Sequence, residues 1–401
     1  MGLTEEEIAD RSGCSVERIA QLIDLGILVP RDEGGPFSPK DVHRVRLMKA
    51  FEDAGIDLEL IARGVAAGKL SYENIGLYLP DPEALSLTAE ELAAEVGRSP
   101  ELISRLIREF GLAQPEPRGR LRADEIPVLK EMLDVWATAD DEVLIRLARL
   151  YGQNVRKIVA SDLELAGGSI FARMREKFSD KQMREAAGDV GTRLMNLGET
   201  LMVWLRGRHL ESEVIAVTVQ TTEDFLREHG LAPKRAPRPP AIAFLDLTGY
   251  TALTEERGDE AGADLADELA SLVREAALPH GGNPVKWLGD GVMFYFDDPT
   301  AAVLTGLDLV EQTPVAVDVR ARVGINSGNV VFRDGDYFGR TVNVASRIAD
   351  YARPGEVLVS DEVKERWSGD GVRFHAIGPV TLKGLRDELT LHTVSRNLAA
   401  D

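Results

Sequence analysis

The stretch Ala232–Pro240, "APKRAPRPP", limits how this chain can fold more than any other part of it. Proline fixes φ and lacks a backbone N–H, so Pro233, Pro237, Pro239 and Pro240 cannot lie inside a helix or a central strand. With Lys234, Arg235 and Arg238 between them, residues 232–240 are expected to form a stiff, extended linker. The chain therefore poses two folding problems, one on each side. Before the linker, apolar residues recur at helical spacing and the chain reads as almost wholly helical. After it, short apolar runs bounded by glycine and aspartate read as strands.

The helical part contains an internal repeat. "LTEEEIADRSGCSVERIAQLIDLGIL" begins at Leu3 and "LTAEELAAEVGRSPELISRLIREFGL" at Leu87. Each has a threonine cap with glutamate in the first turn, at Thr4 and Thr88, then Gly13 or Gly97 ahead of a second cap at Ser15 or Ser99. This is the order helix, tight turn, helix. The copies are expected to occupy residues 1–80 and 81–150, followed by a helical regulatory or dimerisation segment over 151–231.

The first copy, with "LIDLGILVPRDEGGPFSPKDVHRVRLMKAFEDAGIDLELI" downstream, resembles the winged helix-turn-helix of MerR-type transcription regulators. Its charge argues against DNA binding. Over residues 1–28, Glu5, Glu6, Glu7, Asp10, Glu17 and Asp24 face only Arg11 and Arg18. A recognition helix must neutralise phosphates before it can read bases, and the net charge of −20 works in the same direction. A regulatory or protein-packing module is the favoured reading. In 151–231, Leu194, Leu197, Leu201, Trp204 and Leu205 fall on one helical face. The face reads as core or a dimer seam, with a lipid or small-molecule pocket among these helices as the alternative. His209, on the same stretch, is the histidine placed to sense pH.

Cys14 is the sole cysteine, which excludes an internal disulfide and fits a reducing compartment. The acidic start MGLTEEEIAD lacks the pattern of a signal peptide, and no apolar run approaches membrane-span length. A soluble cytoplasmic protein is expected.

Two carboxylates stand out after the linker. In "AIAFLDLTGY" an apolar run of strand length carries Asp246 near its end. An ionised carboxylate there is unfavourable unless it is paired or binds a cation. In "KWLGDGVMFYF", Lys286–Phe296, Gly-Asp-Gly separates two apolar stretches, which reads as a hairpin with Asp290 at its tip. Two hard carboxylates that converge on one sheet edge suit Mg²⁺ or Mn²⁺. Further on, Asp334-Gly335-Asp336 reads as a turn, followed by a helix through "TVNVASRIADYA" on which Asn343 and Arg347 share a face.

"FLDLTGYT", "VKWLGDGVMFYF" and "DYFGRTVNVASRIA" resemble, in order and spacing, the signature segments of class III nucleotidyl cyclases, specifically adenylate cyclases. The resemblance covers 241–397 and implies an α+β ferredoxin-like catalytic domain that pairs head to tail as a homodimer. It implies metal binding by Asp246, Asp290 and the carbonyl of Leu247, with two Mg²⁺ or Mn²⁺ per site. Lys286 and Asp336 match the pair that recognises the adenine of ATP. Asn343 matches the residue that orients the ribose, Arg347 the one that stabilises charge on the transferring phosphorus, and Lys383 in "VTLKGLRD" a lysine that holds phosphates. No clear counterpart emerges for the family's additional phosphate-binding arginine; Arg333 is nearby but out of register. The expectation is an adenylate cyclase under N-terminal control. The rival is a nucleotide-sensing MerR-like transcription regulator whose cyclase-like domain only binds ligand.

Overall fold

The structure, a computed structural model, describes residues 2–30, 37–72, 79, 85–112, 120–177, 180–232, 239–316 and 319–397. Its contacts divide the chain into two compact units, Met1–Leu226 and Arg227–Asp401. Residues 233–238 of the expected linker lie outside the described residues.

The first unit opens with α1 (Glu5–Ser12), α2 (Val16–Asp24), α3 (Asp41–Asp53) and α4 (Leu58–Ala66). Thr4 and Glu7 form a capping box on α1, Gly13 ends it with φ 73°, and Ser15 caps α2. The same devices recur downstream. Thr88 and Glu91 cap α5 (Ala89–Val96), Gly97 ends it with φ 65°, and Ser99 caps α6 (Pro100–Glu109). Each set has its own core: Ile8, Ile19, Leu22, Val45 and Met48 in one, Leu92, Ile103, Leu106, Leu129 and Leu144 in the other. The second set also contains a two-stranded antiparallel sheet, β1 (Leu85–Thr88) with β2 (Arg120–Arg122). The all-α expectation is amended to that extent, because residues 85–88 lead into the α5 cap in extended form.

α7 (Glu125–Val135) is followed by the 25-residue α8 (Asp141–Leu165), a π-helical turn at Ala166–Phe171, α9 (Ala172–Lys177) and the 49-residue α10 (Asp180–Glu228). At 1.5 Å per residue α10 is about 74 Å long. The apolar stripe corrects the core reading: Leu197, Leu201, Trp204 and Leu205 are exposed, Trp204 at 59%. His209 is exposed on the same helix. A cavity of about 710 Å³ lies between α6, α7 and α8, walled by apolar side chains including Ile107, Val128, Val155 and Leu163. Among the described residues, no helix is long and apolar enough to cross a membrane.

The second unit is built on a seven-stranded sheet in the order β10-β11-β9-β6-β3-β5-β4. In chain order its parts are β3 (Ala241–Thr248), α11 (Tyr250–Arg257), α12 (Asp259–Ala277), β4 (Asn283–Trp287), β5 (Gly291–Phe296), α13 (Pro299–Ala316) and β6 (Arg320–Ser327). A separate hairpin, β7 (Val331–Arg333) and β8 (Asp336–Phe338), leads into α14 (Arg340–Tyr351). Then come β9 (Val357–Ser360), α15 (Asp361–Glu365), β10 (Val372–Val380) and β11 (Leu389–Arg396). The β6-β3-β5-β4 portion is antiparallel and is laid down as βαββαβ, the topology of a ferredoxin-like core.

Period-two alternation assigns the faces of the sheet. Ala241, Ala243, Leu245 and Leu247 of β3 pack with α12 and α13 in the main core. Ile242 and Phe244 face the other way, against Met293 of β5 and Ala345 and Ala349 of α14. Asp246 is next in that second series, so the alternation that buries Ile242 and Phe244 also places its carboxylate on the α14 face.

Candidate functional site

β3 and the β4–β5 hairpin bring Asp246 and Asp290 together at one end of the sheet, where adjacent interior strands meet. Asp246 pairs with Gly291 across the β3–β5 ladder, one residue from Asp290. Leu247 N–H donates to the Asp290 carbonyl at 3.1 Å, and Leu288 N–H closes the turn onto the Gly291 carbonyl at 2.8 Å. Gly289, at φ 72°, supplies the left-handed residue this turn needs. Gly291 permits the close approach, since a Cβ there would lie 2.8 Å from the Leu245 carbonyl oxygen. Burial first, and the Asp246 charge second, hold the Asp290 carboxyl above the ordinary aspartate range.

Arg322 is the site residue that the sequence reading missed. Across the β3–β6 ladder it pairs with Asp246. Its Nε and Nη2 donate to Asp246 Oδ2 at 2.7 and 2.5 Å. Its Nη1 donates to the Asp350 carbonyl at 2.9 Å. Asp246 thus has Arg322 as its counter-ion, while Asp290, half-buried beside it, has no ion pair of its own among the described residues. Asp246, Asp290 and the Leu247 carbonyl form an all-oxygen donor set, which suits a hard divalent ion. Among the described residues, no group of three or more His, Cys, Asp or Glu side chains forms a denser metal cluster.

Lys286 and Asp336, far apart in sequence, meet: Lys286 Nζ donates to Asp336 Oδ2 at 2.8 Å. The second carboxylate oxygen, Oδ1, accepts from Tyr337 N–H at 2.9 Å. Asp336 begins β8 rather than lying in the turn. The turn is Asp334-Gly335, with φ of 55° and 79°, as a two-residue hairpin of the primed type requires.

α14 carries Asn343, Arg347 and Asp350 on its exposed face, opposite the buried Val344, Ala345, Ile348 and Ala349. The helix is fastened closely to the sheet. A Cβ on Gly324 of β6 would lie 2.6 Å from Ala349 Cα. Thr341 Oγ1 donates to the Asn329 carbonyl at 2.7 Å, and Asn326 Nδ2 to the Thr341 carbonyl at 3.1 Å. Arg347 Nη1 donates to Asp350 Oδ2 at 2.7 Å. Lys383 is exposed in the turn between β10 and β11, and among the described residues no hydrogen bond joins it to the other candidates. Its neighbour Leu382 is buried with Val344 and Ile348 beneath α14, and Asp387 of the same connection accepts from Arg340 at 2.9 Å.

Residues 237–396 match the family model described as "Adenylate and Guanylate cyclase catalytic domain". The chain is 28% identical over 357 residues to a pH-sensitive adenylate cyclase of Mycobacterium tuberculosis, with 84% of this chain and 86% of the relative covered. It is 27% identical over 300 residues to an adenylate cyclase of Streptomyces coelicolor, covering 71% and 75% of the two. Among solved structures it is similar to the adenylyl cyclase CyaB from P. aeruginosa at 28% identity, covering 40% of this chain and 96% of that one, with a TM-score of 0.37.

Proposed function

From an adenylate and guanylate cyclase catalytic domain at residues 237–396, we propose that the chain is an adenylate cyclase that converts ATP to 3′,5′-cyclic AMP and pyrophosphate. The observation that carries the choice of adenine is the Lys286–Asp336 pair. Lysine donates to the adenine ring nitrogen and aspartate accepts from the exocyclic amine, whereas guanine presents the reverse order. Relatives of this chain along most of its length are named adenylate cyclases, which supports the same reading.

Asp246, Asp290 and the Leu247 carbonyl would hold the divalent ions, Mg²⁺ or Mn²⁺. Bound there, the ions would supply acidification of the 3′-hydroxyl and screening of the phosphates. Arg322 neutralises Asp246 until that carboxylate is otherwise ligated, and its guanidinium is then free for a phosphate oxygen. Asn343 orients the ribose. Arg347 stabilises the charge that develops on the phosphorus, where a planar guanidinium serves better than an ammonium. Lys383 is assigned to the leaving phosphates. No protein nucleophile is required, because the hydroxyl attacks the α-phosphate in line and pyrophosphate leaves.

Two copies of the chain are proposed to pair so that each site takes its metal carboxylates from one and its base-reading residues from the other. Residues 1–231 are assigned as regulatory, with helix-turn-helix-like modules over 1–80 and 81–150. The cavity between α6, α7 and α8 supports a lipid or small-molecule regulator.

The deciding experiment measures cyclic AMP and cyclic GMP formed by the full chain from ATP and GTP with Mg²⁺ or Mn²⁺. Cyclic AMP in excess is expected. Nucleotide binding without turnover would favour the sensing regulator instead.

A further inference from the structure

The β7–β8 hairpin is an unusual place for a recognition residue. It has three residues per strand and forms a sheet of its own, separate from the seven-stranded one. Val331, Phe332 and Phe338 are exposed. A two-stranded hairpin of this size is marginal in water without packing. Yet it carries Asp336, one of the two groups that read the base.

Tyr337, and Val330 at the foot of the hairpin, pack against the buried Ile242, Phe244, Met293, Ala345 and Ala349, and a stack of rings adds to this. Tyr337, next to Asp336, lies 4.3 Å from Tyr295 with the ring planes 10° apart. Phe332 tilts onto Tyr337 at 4.9 Å. Tyr295 belongs to β5, inside the large sheet, and pairs across to Asn283 of β4, the strand that carries Lys286. Its hydroxyl donates to Asp297 Oδ1 at 2.9 Å. Burial, then Asp297, raise its pKa, which keeps the phenol a neutral donor. The two base-reading side chains are thus referenced to a single strand, Lys286 through the β4–β5 ladder and Asp336 through the stack.

This matters because residue type alone does not exclude guanine. In adenine the acceptor is N1 and the donor is the N6 amine. In guanine, O6 stands where N6 does and accepts, while N1–H donates. A lysine and an aspartate that exchanged places would serve guanine equally well. Selection therefore depends on holding each group at its own position, to within about 0.5 Å by the usual tolerance of preorganised sites. Lys286 is a flexible side chain, 51% exposed. The fixed member of the pair has to be Asp336.

We propose that the Tyr295–Tyr337 stack holds Asp336 in register with Lys286 and so sets the choice of adenine over guanine, which makes both tyrosines positioning residues for base selection. The inference rests on the adenylate cyclase reading above and names what enforces it.

The test compares ATP and GTP in the full-length chain, by kcat/KM for cyclic nucleotide formation and by competition for a fluorescent ATP analogue. Tyr295→Leu and Tyr337→Leu should each lower ATP-over-GTP discrimination about tenfold or more, mainly through KM for ATP, with kcat within about threefold of wild type. Tyr295→Phe and Tyr337→Phe keep the stack and should stay within about twofold of wild-type discrimination. The double leucine variant should be no worse than either single one, since the stack is lost once. Leucine variants that fold, by circular dichroism, and keep full discrimination would overturn the inference. Should they fail to fold, Phe332→Ala removes only the exposed outer ring. It should lower discrimination by about threefold, within the range for one aromatic contact, and no change there would equally overturn it. A wild-type chain with no preference for ATP would sink the adenylate reading and this inference with it. Retained preference in the variants sinks the inference alone.

Discussion

Asp290 sits at the β4–β5 turn with its carboxyl above the ordinary aspartate range, from burial first and from Asp246 second. The sign of the consequence is fixed. A raised folded-state pKa means that ionisation opposes folding, so the destabilisation is full above the folded pKa and vanishes below the unfolded one. In divalent-free buffer, Asp290→Asn should therefore melt higher than wild type at neutral pH. The advantage should shrink as pH falls through the folded pKa and disappear in acid, in scanning calorimetry across that range. Turnover should be lost at every pH. Equal melting at neutral pH would show that Arg322 already offsets the repulsion. Arg322 itself shares 24% and 30% side-chain exposure with Asp246, so the pair is only partly screened. Arg322→Leu leaves Asp246 without its counter-ion and should destabilise by about 1–3 kcal/mol. Adding Mg²⁺ should then raise the variant's Tm by more than it raises that of wild type, because the added cation replaces the missing one.

At the scale of elements, the contact between β6 and α14 sets where Asn343 and Arg347 stand. Gly324 is the residue that allows it. Gly324→Ala would press a methyl group into the backbone at Ala349 and should destabilise by about 1–3 kcal/mol. Urea denaturation would measure that loss, and kcat should fall further than stability alone explains, since the helix face itself shifts. A variant with wild-type kcat would show that the face tolerates movement. The same elements show what was legible in sequence. The β4–β5 hairpin was, because Gly-Asp-Gly between apolar runs encodes a local turn. α14 was too, since its buried Val344, Ile348 and Ala349 follow helical spacing. Arg322 was not, because an arginine in a strand looks like a solvated outward residue and its partner lies 76 positions away. The Tyr295–Tyr337 stack was hidden for the same reason, as only tertiary register brings those rings together. The apolar stripe on α10 was legible as a face, and of its two readings, core or dimer seam, its exposure removes the first. Periodicity gives the direction of side chains and says nothing of what covers them.

At the scale of the whole molecule, the composite-site reading makes a sharp demand. Asp290→Ala removes a metal ligand and Arg347→Ala the charge-stabilising arginine, so each chain alone should be nearly inactive. Mixed, they should regain activity, because in a mixed dimer one interface collects both defects and the other none. Random pairing predicts recovery of about a quarter of wild type. No recovery, despite demonstrated subunit exchange, would place the whole site within one chain. Asp350 adds a consequence. Its carbonyl accepts from Arg322 at 2.9 Å and its carboxylate from Arg347 at 2.7 Å. On the proposed pairing, Arg322 would serve one centre and Arg347 the other, so a single residue would link both. On that reading, a ligand that drew Arg322 off the Asp350 carbonyl would disturb the residue whose carboxylate holds Arg347, and so would favour release of Arg347 toward the second centre. The two centres would then be coupled binders, with a free energy shared reciprocally between them. ATP saturation should be sigmoidal, and Asp350→Asn, which weakens the tie without removing either arginine, should return it to a hyperbola.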